Sequence, residues 1–115
     1  MQRERPRIFL LMPPPRGMNI KDAEQFGDFV GPVITTEPLL TTPFGVEDTV
    51  KRLRATLNDY TSADFIFPIG SPIVIGLATS IAADYSVDGK VSFLKWERGT
   101  TRYIAVTVEL IEEDI

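Results

Sequence analysis

Two groups of residues have the types and spacing to do chemistry. The first is Arg16, Asn19, Gly70 and Ser71. Ser71 can cap a helix with its side-chain oxygen, and Pro72 suits the first helical position, where a missing N–H leaves no bond unmade. A helix start presents free N–H groups at the positive end of the helix dipole. Arg16 and Asn19 lie on a loop that neighbouring parallel strands would bring alongside, so the four residues could hold a phosphate or carboxylate. Gly-Ser-Pro is neither the dinucleotide fingerprint nor a Walker loop, and Pro72 deletes one donor, so the same residues also read as a plain turn and cap. The second group is Phe93, Lys95, Trp96, Arg98, Arg102 and Tyr103, three aromatics and three cations around one hairpin. Aromatic faces interleaved with cations stack the bases of single-stranded nucleic acid or grip a partner protein. An ordinary edge hairpin carries the same residues, with cations against aggregation and a Trp–Tyr cross-strand pair.

Composition removes many other chemistries. The chain has no Cys and no His, which excludes thiol nucleophiles, disulfides, the usual zinc ligand sets and every Ser-His or Cys-His arrangement. Ser71 therefore has no imidazole base, and no lysine stands three residues after it. The acidic residues show no paired spacing of a metal or glycosidase site, and Asp84 and Asp88 read as turn residues. No catalytic residue, metal or cofactor is expected, and the balance leans away from an enzyme. A formal charge of −4 argues against a protein that coats nucleic acid non-specifically. The apolar run Ile8 to Met12 is too short for a signal or a membrane span. The expectation is a soluble cytoplasmic protein with no membrane association.

The elements that must position these residues follow from hydrophobic pattern. At 115 residues, 43% hydrophobic, the chain has the size of one domain over residues 1–115, with residues 1–6 frayed. Arg7 to Met12 reads as a first strand ended by Pro13, Pro14 and Pro15. Asn19 caps a helix of about two turns on which Ile20, Ala23 and Phe26 share a face. Gly31-Pro32 breaks a β-branched run, so a second strand is expected from Val33, with a bulge before it. Val46, Val50, Leu53, Leu57 and Tyr60 form one stripe of a helix, supported by the pairs Glu47–Lys51 and Asp48–Arg52.

Phe65 to Ile69 reads as a strand covered on both faces, and Pro72 to Tyr85 as a helix with almost no polar side. Two antiparallel strands, Lys90 to Trp96 and Arg102 to Leu110, close the chain. The fold class is α/β: a three-layer, Rossmann-like domain of about five strands, mostly parallel with an antiparallel C-terminal hairpin. In such sheets ligands bind beyond the carboxyl ends of the strands where the strand order reverses. A domain this small has little with which to cover both sides of the 72–85 helix. Ile73, Gly76, Leu77 and Ser80 are therefore the expected interface of a homo-oligomer, with burial under the chain's own loops the other reading.

The segments G-S-P-I-V-I-G-L-A, F-L-K-W-E-R, R-Y and M-P-P-P-R-G-M resemble a group of short bacteriophage-encoded proteins. That resemblance implies a viral accessory protein acting in a host cytoplasm, and it brings no activity or site. At the level of strand-helix order the chain is also similar to small Rossmann-like proteins that bind or cleave cyclic oligonucleotides. Three functions stand open: an interaction module on a host macromolecule, a nucleotide-binding or nucleotide-cleaving domain at Arg16, Asn19 and Ser71, and a single-strand binder at the hairpin.

Overall fold

The computed structural model describes residues 5–35 and 40–111. In chain order these form β1 (Arg7–Leu10), a 3-10 helix (Lys21–Phe26), β2 (Asp28–Val30), α1 (Pro43–Leu57), β3 (Phe65–Phe67), α2 (Pro72–Tyr85), β4 (Lys90–Glu97) and β5 (Arg102–Glu109). The strands make one sheet in the order β2-β1-β3-β4-β5. The first four run parallel, and β5 returns antiparallel to β4. This is the mixed five-stranded α/β sheet that the pattern predicts.

Each face of the sheet has its own core, because successive strand residues point to opposite sides. Phe9, Leu11, Ile66 and Val91 point to one side and meet Leu53 and Leu57 of α1 and Val74, Ala78, Ile81 and Ala82 of α2. Ile8, Leu10, Phe67 and Leu94 point to the other, under Ala23 and Phe26 of the 3-10 helix. Strands buried on both faces are why β1 and β3 read as unbroken apolar runs.

Three elements differ from the pattern-based expectation. The second strand begins at Asp28, not Val33: Asp28 N–H donates to Pro6 O at 2.9 Å, and Arg5 pairs with the Asp28 carboxylate at 3.2 Å. Gly31 and Pro32 interrupt this strand, after which Val33 and Ile34 resume hydrogen bonds to Leu10 O and Leu11 O. Pro32 has no N–H to give the ladder, so one path along β1 is split in two. Of the segment expected to fray, Arg5 and Pro6 are thus tied to β2, and residues 1–4 lie outside the described residues.

The helix expected from Val46 begins at Pro43, capped by Thr42 Oγ1, which accepts from Gly45 N–H at 3.1 Å. Its buried stripe is Gly45, Thr49, Leu53 and Leu57, whereas Val46 is exposed. Thr49 can be buried because its hydroxyl donates to Gly45 O at 2.9 Å. Asp48 and Arg52 form the expected surface pair.

The third difference is the helix after Asn19, which is 3-10 and not α. Ile20, Ala23 and Phe26 recur every third residue, the period of a 3-10 helix, and so stay on one face only in that geometry. Asn19 Oδ1 accepts from Lys21 N–H at 2.9 Å, one residue ahead of the cap position, which Ile20 occupies.

A buried ion pair locks the starting ends of β1 and β3. Asp64 is fully buried and accepts from Arg7 N–H and from the Arg7 guanidinium, each at 2.9 Å. The second Arg7 nitrogen reaches Asp59 at 2.9 Å. Burial, the largest single influence on Asp64, pushes its carboxyl up. The combined Arg7 hydrogen bonds and charge, with Thr61 N–H, outweigh it and hold the group below its ordinary value. Above this pair Tyr60 O–H donates to Asp64 O at 3.1 Å and accepts from Ser92 N–H at 2.9 Å. Burial pushes the Tyr60 hydroxyl up to about 12.

Candidate functional site

The strand order reverses between β1 and β3, and the loops after these two strands flank the crevice where α/β sheets take ligands. Met12 leaves β1 on one side and Gly70 leaves β3 on the other. Their side chains decide what fits between. The Met12 thioether accepts from Ser71 N–H at 3.4 Å, and a Cβ on Gly70 would lie 2.6 Å from the same sulfur. Gly70 also has φ +125, a conformation that L side chains resist. Only glycine lets the methionine lie there.

Ser71 does cap α2, its Oγ accepting from Ile73 N–H at 3.2 Å. With Ser71 N–H given to Met12 and no N–H on Pro72, the first donors of the helix are spent inside the chain. Arg16 sits at the tip of a turn closed by Met18 N–H to Pro15 O at 3.1 Å, with Gly17 at φ 86. Gly17 supplies the left-handed residue that such a turn requires. Arg16 is exposed and has no hydrogen-bond or ion-pair partner among the described residues. Asn19 is engaged elsewhere: its carbonyl accepts from Tyr103 O–H at 3.0 Å. The structure therefore joins Gly70 and Ser71 to Met12, and Asn19 to the hairpin.

The hairpin residues divide between the two faces of the sheet. Trp96 and Tyr103 are cross-strand partners on the side of the 3-10 helix, with ring centroids 5.1 Å apart and planes at 71°. Tyr103 is buried, and Trp96 keeps 39% of its surface open. Phe93 and Lys95 point to the opposite side, where Phe93 packs on the α1–α2 core. Arg98 lies in the turn and is exposed. Arg102, at the strand end, lines with Tyr103, Lys21, Asp22 and Glu24 a cleft of about 430 Å³. One exposed ring is braced from beneath, and of the three hairpin cations Arg102 lines the cleft on its side.

That bracing extends across the sheet. Phe29 stacks on Phe67 at 5.9 Å, Phe67 meets the edge of Tyr103 at 5.5 Å, and Tyr103 meets Trp96. Offset and edge-on contacts of this kind add to plain burial. The row joins four separate sequence segments, so no local pattern could have revealed it. Met12 and Asp64 were likewise unmarked in the sequence; a single acid directly ahead of an apolar strand was the one available sign of Asp64.

On α2, Ile73, Gly76 and Ser80 of the expected interface stripe face outward, while Leu77 packs partly against the core. Ile73 is 58% exposed, Gly76 and Ser80 are exposed, and Leu77 is half-buried. Beside it an open cleft of about 710 Å³ is bounded by Gly76, Ser80, Asp84, Arg54, Leu110 and Ile111. Among the described residues no group of three or more acidic, Cys or His side chains is placed to hold a metal. No described helix is long and apolar enough to cross a membrane.

These features define a small α/β protein built on a mixed five-stranded sheet, with two helices on one face and a braced tryptophan on the other. The model of a family described as Phage Pam3 gp32-like protein matches residues 13–110. The chain belongs to that family, and so is a bacteriophage protein. No curated protein and no solved structure matches it.

Proposed function

We propose that this chain is a phage accessory protein that works in the host cytoplasm by binding a host macromolecule through the end of its C-terminal hairpin. The observation that carries this reading is Trp96, 39% exposed and held edge-on by buried Tyr103. Arg98 and Arg102, both exposed, belong to the same hairpin end, and exposed Lys95 projects from the opposite face. Tryptophan and arginine dominate the energetics of protein interfaces, and a ring already fixed in place loses little freedom on binding. The local excess of cations on a chain of net charge −4 favours an acidic partner surface.

The test is affinity capture from host extract with wild type and Trp96→Ala, followed by titration of each purified captured molecule. One saturable partner, weakened roughly thirtyfold or more by the substitution, is expected for a hot-spot residue. Identical capture and affinity for both proteins would overturn the reading. If the partner proves to be single-stranded nucleic acid, affinity will fall steeply with salt.

A second reading has one observation in its favour. The loops after β1 and β3 are adjacent where the strand order reverses, the place where Rossmann-like domains take nucleotides. Arg16, Asn19, Gly70 and Ser71 would serve that site. In the resting structure Met12 fills the space between Gly70 and Ser71, so this reading requires the methionine to move.

A further inference from the structure

The two edges of the sheet are built differently. At one edge β2 has three residues, its first is an aspartate in an ion pair, and Gly31-Pro32 follows at once. Short length, charge and proline are the devices by which natural sheets keep an edge from pairing. The β5 edge is eight residues long, has no proline and carries charge only at its ends, Arg102 and Glu109. Its register against β4 runs without a bulge from Arg102 to Glu109, and Ile104 to Val108 contains no charge and no proline.

The direction of the β5 main chain can be read from one bond. Leu110 N–H donates to Gly89 O at 2.9 Å, so Leu110 faces β4. By the alternation of an antiparallel ladder, Val108, Val106 and Ile104 also face β4 with their main-chain groups. Ser92 N–H goes to Tyr60 and not to β5, as that alternation requires. The N–H and C=O groups of Tyr103, Ala105, Thr107 and Glu109 therefore point outward, and no described strand pairs with them.

We infer that this edge pairs with the β5 edge of a second copy of the chain, antiparallel, about a two-fold axis normal to the sheet at Val106. An axis normal to the sheet keeps each side of one copy on the same side as its mate. Residues facing each other across the seam must then share a side, so the axis passes through a residue and not between two. At Val106 it sets Val106 against Val106 and Ile104 against Val108 on the helical side, and Ala105 against Thr107 on the other. The partly exposed apolar ladder of Ile104, Val106 and Val108 meets its own continuation. At each end of the seam Tyr103 of one copy comes opposite Glu109 of the other, and Arg102 opposite Leu110, so no like charges meet under this symmetry. An unrelated strand would share the backbone bonds but not this matching of the Ile104, Val106 and Val108 ladder to itself with no like charges opposed.

The test is sedimentation of the full chain across a dilution series, with hydrogen exchange followed residue by residue. A concentration-dependent dimer is expected, in which the amides of Tyr103, Ala105, Thr107 and Glu109 are protected and lose that protection on dilution. Ala105→Pro removes an outward N–H and no bond to β4, so it should leave the circular dichroism spectrum unchanged and weaken dimerisation by roughly tenfold or more. Val108→Lys, at an exposed position opposite Ile104 of the mate, should weaken it as well. A wild-type monomer at every concentration overturns the inference. So does a dimer that ignores both substitutions and leaves the four amides unprotected, a result that would move the interface to Ile73, Gly76, Leu77 and Ser80. Capture of a host macromolecule through Trp96 is a separate measurement, and either result can fail without the other.

Discussion

Asp64 shows how a single side chain joins segments that the sequence keeps far apart. Replacing it with Ala would leave the Arg7 guanidinium, 17% exposed, facing a site it can no longer neutralise, and breaking a buried pair in this way costs about 3–5 kcal/mol. Asp59 still holds the other Arg7 nitrogen, so the loss belongs at the lower end of that range, as read by urea unfolding. The pair also makes stability depend on acid. The folded-state pKa of Asp64 is depressed, so its contribution is complete above the unfolded carboxylate value, about pH 4, and disappears as pH falls through the folded value. Wild-type stability should therefore drop more steeply below about pH 4 than that of Asp64→Asn; parallel pH profiles would contradict the assignment. Nothing around Asp64 in the sequence announced this pair, because Arg7 lies 57 residues away. Its chemistry exists only once β1 and β3 are neighbours.

α1 and α2 both start where a short polar residue precedes a proline, a signal read at one of them and passed over at the other. Ser71-Pro72 was read correctly as cap and first turn, and Thr42-Pro43 carries the same signal four residues before the expected start of α1. Thr42→Ala and Ser71→Ala should each lower stability by about 1 kcal/mol in thermal or urea unfolding, with additive effects because the two caps lie on different helices. A double variant losing no more than either single one would show that the caps are coupled. Where the sequence misled, a competing local rule had won. The apolar residues at 20, 23 and 26 fit a three-residue turn better than a 3.6-residue one, and Pro32 divided a strand most of whose β-branched residues lay on its far side. The 72–85 helix, apolar nearly all round, has its buried side at Val74, Ala78 and Ile81, which leaves outward Ile73, Gly76 and Ser80 of the stripe singled out from composition.

At the scale of the molecule, the alternation of strands and helices was enough to give a mostly parallel sheet with an antiparallel hairpin. The full strand order was not legible, though the neighbouring of β1 and β3, on which a shared crevice depends, was the condition set from the sequence and is present. That crevice is closed by a particular kind of stopper. Methionine is unbranched, with three rotatable bonds and a polarisable sulfur, so it fills an irregular gap without being fixed by shape. Its single polar contact is a sulfur acceptor 3.4 Å from Ser71 N–H, which is weak. Swinging the thioether aside would release that N–H at the head of α2, which is the movement the nucleotide-binding proposal requires. Met12→Ala should hold the open form permanently, losing about 2–5 kcal/mol of stability for a nearly buried side chain. In exchange, phosphate or nucleotides should raise its melting temperature more than they raise that of wild type. Equal shifts in the two proteins would mean that the gap behind the methionine is only packing space, and that this mixed sheet fills the place where its strand order reverses with a side chain.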